Sequence, residues 1–365
     1  MTNISGDLMN KLRVGILGAT GMVGQKYISL LEGHPWFEVS YVIASPSSAG
    51  KKYSDAVAGR WHMKKDIPAN AKNLVVAPIN DLEKAKKSCD FVFSALDSDI
   101  AKEWEEKYAE AGIPVVSNAS THRHTSDVPM IIPEINPQHL DVLPIQQKNR
   151  GWNKGFIIVK PNCSLQSYML PLYVLHKRFR IKKVVITTMQ AVSGAGHPGV
   201  SSFDIFDNVI PFIKGEEEKS ELEPRKILGR IDGNKIAYDE SFEISAHCNR
   251  VPVIDGHMAC VSAEFENKPN REEILNMWQK FRGVPQELNL PFAPKQPIIY
   301  REEDNRPQTR LDRDKDKAMA VTVGRLRGCN VLQWRFVGLS HNTIRGAAGG
   351  GILNAELLKA KGYLK

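Results

Sequence analysis

A chain of 365 residues exceeds the size at which one hydrophobic core keeps growing, so two domains are expected. Hydrophobic residues at 42% and charged residues at 25% are those of an ordinary globular protein, and no run approaches the roughly 18 apolar residues of a membrane span. The opening "MTNISGDLMNKLR" lacks a signal-peptide core and the net charge of +8 sits on scattered lysines, so the expectation is a cytoplasmic protein with no membrane or nucleic-acid partner that handles anionic small molecules.

The first 160 residues alternate short apolar runs with helical segments: "KLRVGIL", a helix from about Met22, "FEVSYVIAS", "NLVVAPI", "DFVFSAL", the helix "DIAKEWEEKYAEAG" and "IPVVSN". This alternation predicts a parallel sheet covered by helices, a Rossmann-type doubly wound α/β domain. In "LRVGILGATGMVG", Gly18, Gly21 and Gly24 form a G-x-x-G-x-x-G turn between a strand and a helix. Glycines let the backbone approach a pyrophosphate, and the helix start offers free N–H groups. The predicted cradle is Gly18, Ala19, Thr20, Gly21, Met22, Val23 and Gly24, as for a dinucleotide.

The end of the second strand tests the type of dinucleotide. An NAD site usually places Asp or Glu there, about 20 residues past the glycines, to hold the ribose hydroxyls. Here "IASPSSAGKK" has no carboxylate between Val39 and Lys52, while Ser45, Ser48 and Lys51 offer hydroxyls and positive charge. A 2′-phosphate suits them, and NADP is the predicted cofactor.

The apolar run "GFIIV" leads into "KPNCSLQS", where a Pro-Asn turn presents Cys163 before "SLQSYMLPLYVLH" resumes as a helix. A thiol at a helix start is favoured as thiolate by the dipole, which predicts a nucleophile. Cys89 and Cys260 lie beside or in apolar strands and read as buried packing. No C-x-x-C pair is present among the five cysteines, so reduced thiols and no metal site are expected. A nucleophilic cysteine needs a base, for which His257 in "VIDGHMACV" and His197 in "SGAGHPGV" compete.

Beyond Cys163 longer strands dominate ("KKVVITTMQAVSG", "MACVSAEF", "AMAVTVGRLRG", "VLQWRFVGL"), which predicts an α+β domain with a mixed, largely antiparallel sheet. The charge-dense "REEDNRPQTRLDRDKDK" reads as a solvated loop. "TIRGAAGGGILNAELLKAKGY" reads as a terminal helix returning to the first domain. The expected division is 1–157 plus 343–365 for cofactor binding, and 158–342 for catalysis and dimerisation.

Six motifs in order, GATGMVG, PNCS, QAVSGAG, GEEEK, NRVPVIDGH and NTIRGAAGG, span the chain and resemble aspartate-semialdehyde dehydrogenase, in its archaeal and fungal branch. The resemblance implies reversible reduction of β-aspartyl phosphate by NADPH to aspartate β-semialdehyde, through a thioester on Cys163, on the route to lysine, methionine and threonine. It implies His257 as acid/base, Asn162 as orienting the intermediate and Gln190 as a substrate contact. It assigns the α-carboxylate to Arg250, the α-ammonium to Glu216 among Glu216–Glu218, and phosphate to Arg123 and Lys219. Ser193, Gly194 and Asn342 are implied near the nicotinamide, and a homodimer or homotetramer is implied as the assembly.

Four rivals share parts of this pattern. A malonyl-CoA reductase would use Cys163 and Arg250 but not Glu216, and a reductase of N-acetylglutamyl phosphate would likewise lack a partner for an acidic group. A cysteine hydrolase could use Cys163 with His257 but has no use for the glycine turn. A non-catalytic NADP sensor would have no use for the thiol.

Overall fold

The structure is a computed structural model that describes residues 11–365. The first ten residues, which open the stretch read above for an export signal, lie outside the described residues. Among the described residues, no helix is long and apolar enough to cross a membrane.

Five parallel strands make the first sheet: β1 (Leu12–Leu17), β2 (Phe37–Ile43), β3 (Phe91–Ser94), β4 (Val115–Ser117) and β5 (Ile157–Val159), in the order β2-β1-β3-β4-β5. The residues of β3, β4 and β5 are buried on both faces, as parallel strands flanked by helices must be, while the edge strand β2 exposes Glu38. On one face Val14, Ile16, Phe91, Phe93, Val116 and Ile158 pack with the helix α1 (Met22–Leu30) and with the C-terminal helix, residues 349–360. On the other, Leu17, Val92, Val115 and Ile157 meet Tyr108 and Ala109 of α2 (Ser98–Glu110). "NLVVAPI" is not a strand: it joins the fold through two isolated bridges, Ile43 to Ala77 and Lys52 to Val75, and Pro78 has no N–H to extend a ladder.

The chain leaves β5, makes a short 3-10 turn over Ser164–Ser167, and continues as α3 (Met169–Phe179). The continuous helix expected after Cys163 is therefore broken at Tyr168. A six-stranded mixed sheet follows, built from β6 (Ile181–Gln190), β9 (Glu243–Arg250), β10 (His257–Phe265), β11 (Ile298–Arg301), β12 (Val321–Gly328) and β13 (Trp334–Ser340). Its order is β11-β12-β13-β10-β6-β9, with β6–β9 and β11–β12 parallel and the other pairs antiparallel. A separate hairpin joins β7 (Arg230–Asp232) to β8 (Lys235–Ala237), and α4 (Glu216–Ile227) packs along β9. One apolar cluster runs from the first sheet through α3 into Val184, Ile186, Val261 and Val323 of the second.

Cys260 is exposed on β10, because its side chain alternates to the open face of the sheet. The charged segment is only partly solvated: Asp312 is buried and accepts hydrogen bonds from Arg306 and from the Gln308 backbone N–H. α5 (Gly349–Ala360) closes the first domain. It comes so near α1 that a Cβ on Gly351 would stand 1.9 Å from the buried Tyr27 hydroxyl oxygen. Gly351→Ala is expected to cost about 1–3 kcal/mol by overpacking this helix contact, read as a lower urea midpoint with an unchanged m-value.

Candidate active site

Both sheets present one edge to the same cleft. β4 and β5 are parallel, so the segments after their carboxyl ends, Asn118–Arg123 and Lys160–Cys163, emerge side by side, where open α/β sheets bind ligands. In the second sheet Gln190 pairs with Arg250 at the ends of parallel β6 and β9, and β10 begins beside them with His257 because it runs the other way. Together they enclose a cavity of about 300 Å3, lined by Asn118, Ser120, Arg123, Asn162, Cys163, Gln190, Gly194, Glu216, Lys219 and Arg250. A larger surface cleft of about 680 Å3 around Arg282 and Lys295 contains none of these residues.

Cys163 Sγ lies 3.3 Å from His257 Nε2. The ring's other nitrogen, Nδ1, accepts the backbone N–H of Ala191 at 3.0 Å. That bond fixes the neutral tautomer with its proton on Nε2, pointing at the sulfur. Burial, aided by Arg250, His341 and Lys160, pushes the imidazolium down to about 3, so the ring is uncharged near neutrality. His257 is thus a hydrogen-bond donor toward sulfur, and the base half of its expected role has no free nitrogen. The competitor, His197, stacks on His62 with ring centroids 4.0 Å apart and is not paired with Cys163.

The thiol itself is pushed up from its ordinary value, first by burial and then by Glu216, while Lys160, Arg123 and Arg250 pull it down. This reverses the expected dipole effect. The helical turn at Cys163 is only four residues long, and its weak dipole loses to desolvation.

Glu216 is the member of the glutamate triplet that faces the cavity. Its Oε1 accepts from Asn162 Nδ2 at 2.8 Å and Lys219 Nζ at 2.9 Å, and its Oε2 from Gln190 Nε2 at 3.1 Å. Glu217 instead accepts the Cys248 backbone N–H, and Glu218 is exposed. Asn162 Oδ1 accepts from the Ser164 N–H and hydroxyl, which organises the cysteine turn, while one Nδ2 N–H goes to Glu216 and the residue lines the cavity. Arg250 donates from Nη1 to Ala191 O at 2.8 Å and keeps its other donors available. A Cβ on Gly194 would stand 2.9 Å from Arg250 Nη1 and 3.2 Å from His257 Nε2, so this glycine serves the substrate side as much as the cofactor side.

In the first domain Gly18 adopts φ +77, and a Cβ there would stand 2.6 Å from Ala95 O; one on Gly24 would stand 2.2 Å from Gly18 O. Gly21 caps α1 with no side-chain bond and no acid in the first turn, which leaves the Met22 and Val23 N–H groups for an anion. Thr20 O and the Ala19 carbonyl are fixed by Gln25 and Tyr53. Ser45 and Lys51 are exposed beyond β2, but Ser48 is buried and its Oγ accepts from Arg60 at 3.3 Å. Ser193 Oγ accepts from Asn342 Nδ2 at 2.8 Å, and Asn342 Oδ1 accepts the Gly256 N–H, which ties the loop after β6 to the turn before His257. These groups fit a dinucleotide carrying a 2′-phosphate: a glycine cradle, a bare helix start and cations at the second strand.

A model of the semialdehyde dehydrogenase NAD-binding domain matches residues 13–143, and one of the semialdehyde dehydrogenase dimerisation domain matches 172–345. An aspartate-semialdehyde dehydrogenase of Archaeoglobus fulgidus is 48% identical over 94% of this chain and 97% of its own length, and one of Aspergillus fumigatus is 46% identical over 97% and 99%. The crystal structure of the Candida albicans aspartate-semialdehyde dehydrogenase with NADP superposes with a TM-score of 0.88 at 43% identity, covering 96% of this chain and 99% of that one. The chain belongs to the aspartate-semialdehyde dehydrogenase family.

Sequence reasoning overlooked several residues in this family member, three lining the cleft and two placed behind it or at the second strand. Ser98, Asn118 and Ser120 were findable only from the rule that ligands sit at strand carboxyl ends. Lys160, buried and pushed down to about 7 by that burial and by Arg123, lowers the pKa of the Cys163 thiol when the lysine is protonated. Arg60 lies too far along the chain for the second-strand spacing to reveal it.

Two outcomes follow from these electrostatics. Replacing Glu216 by Gln is expected to lower the thiol's apparent pKa and speed iodoacetamide alkylation of Cys163 near pH 7.5 by roughly three- to tenfold. Replacing Lys51 and Arg60 together by Ala is expected to raise the Kd for NADP by about tenfold, with that for NAD nearly unchanged, read by fluorescence titration.

Proposed function

We propose that this chain is an NADP-dependent aspartate-semialdehyde dehydrogenase, which reversibly converts β-aspartyl phosphate to aspartate β-semialdehyde and phosphate for synthesis of lysine, methionine and threonine. The observation that carries the reading is a single cavity in which each charged group of that substrate has a counterpart around one thiol. Arg250 takes the α-carboxylate with its planar fork, and Glu216 takes the α-ammonium on its remaining lone pair. Arg123 and Lys219 receive the phosphate, and Gln190 closes the floor beside Glu216.

Substrate binding supports ionisation of the nucleophile. An ammonium paired with Glu216 cancels the negative charge that holds the thiol protonated. Once the thiol proton has passed to solvent, the Cys163 thiolate attacks the acyl carbon, the C–O bond to phosphate breaks, and a thioester remains on the sulfur. When bound, NADPH supplies the hydride that reduces this carbonyl. The resulting thiohemiacetal anion collapses with cleavage of the C–S bond, which restores the thiolate and frees the aldehyde. Throughout, His257 Nε2–H donates to whichever atom carries the charge, oxygen in the tetrahedral adduct and sulfur afterwards. Asn162 holds the turn that aims the sulfur.

The curated relatives described above carry the same enzyme name, and the malonyl-CoA alternative is not supported by them. Glu216, turned into the cavity, also disfavours an acyl donor without an amine. A homodimer or homotetramer is supported by the matched dimerisation domain.

The decisive assay is phosphate-dependent reduction of NADP by aspartate β-semialdehyde; absence of turnover, or turnover only with CoA and malonate semialdehyde, would refute the reading. Cys163→Ala is expected to abolish turnover while NADP still binds. Arg250→Lys is expected to raise the KM for the semialdehyde by about tenfold or more through loss of the two-point grip, and an unchanged KM would reassign the carboxylate site.

A further inference from the structure

The substrate-facing side of α4 continues inward. Glu216, Lys219, Glu223 and Lys226 recur every three or four residues and so share one side of the helix. The first two line the cavity, whereas Glu223 and Lys226 are each 0% exposed. Charged side chains stay in a core only where their partners are complete.

Those partners are specific. Glu223 accepts from Arg123 Nη1 on Oε1 at 2.9 Å and from the Asn162 backbone N–H on Oε2 at 2.6 Å. One carboxylate thereby joins the cavity's arginine to the peptide immediately before Cys163. Lys226 donates from Nζ to three carbonyls of the loop carrying that arginine: Arg123 at 2.7 Å, Thr125 at 2.7 Å and Val128 at 2.9 Å. An ammonium has three donors and no acceptor, so none is left over. Arg123 is further held by Nε to Lys160 O at 3.1 Å and Nη2 to Asn118 O at 3.3 Å. Three of its five N–H groups are thus committed, and two remain on a guanidinium that lines the cavity.

We infer that Glu223 and Lys226 are positioning residues for the phosphate half of the reaction, fixing the Arg123 guanidinium relative to the Cys163 sulfur. Neither lines the cavity: Lys226 acts through the loop that carries Arg123, and Glu223 through the Arg123 guanidinium and the Asn162 turn. The inference rests on Arg123 as a phosphate ligand. If the pair served packing alone, its loss would weaken every ligand alike; positioning confines the loss to phosphate.

The test varies phosphate and aspartate semialdehyde separately in the oxidative direction and titrates NADP by fluorescence, for Lys226→Met and Glu223→Gln. Because angstrom-scale misplacement of a binding group costs one to two orders of magnitude, the KM for phosphate is expected to rise about tenfold or more, with the semialdehyde KM and NADP Kd within about twofold of the parent. A folded variant of either kind with the parent's phosphate KM, or with equal losses for all three ligands, overturns the inference. Arg123→Leu in parallel separates the two readings. If it leaves the phosphate KM unchanged, the assignment of Arg123 fails and the inference falls with it; if it raises that KM while the other two do not, only the inference falls. Should Lys226→Met fail to fold, the isosteric Glu223→Gln decides.

Discussion

The proposed chemistry depends on putting a negative charge on a sulfur that is largely removed from water. Desolvation and the nearby Glu216 both resist that charge, and the turn's own dipole is too short to overcome them. The remaining supports are distributed: Lys160, Arg123 and Arg250 by charge, and His257 by a single N–H aimed from 3.3 Å. The Ala191 N–H, three elements away in sequence from the cysteine, determines which nitrogen of His257 carries that proton.

Glu216 is therefore central in two senses. Its oxygens gather Asn162, Gln190 and Lys219, drawn from the cysteine turn, β6 and α4, and its charge adds to burial in raising the thiol. The same helix then sends Glu223 and Lys226 into the interior, where they grip the Arg123 loop. The cavity-lining pair and the buried pair that grips the Arg123 loop are thus successive turns of one helix, with rigid spacing of about 1.5 Å per residue.

Much of this was legible from residue order. The glycine turn, the missing carboxylate after β2 and the Pro-Asn-Cys turn each have a local cause, so they could be read before any fold was known. The resemblance supplied roles for Arg250, Glu216 and Arg123 that no spacing rule could, since they converge from β9, α4 and the loop after β4. What remained hidden depends on three-dimensional partners. The tautomer of His257 follows from a backbone N–H 66 residues away, the raised thiol from burial, and the face of Cys260 from strand register. "NLVVAPI" has strand composition, yet it finds only isolated bridges rather than a ladder.

The return of α5 to the first sheet has a consequence for how the molecule is made. Ile352, Leu353, Leu357 and Leu358 belong to the same apolar cluster as Val14, Ile16 and Phe91. While a ribosome is still adding residues 160 to 340, the nucleotide-binding half has one greasy flank uncovered and awaits the segment that forms α5. Completion of that half is thereby deferred until residues 349–360 have been made, and loss of that helix would leave a sticky, unfinished amino-terminal half rather than a working smaller protein.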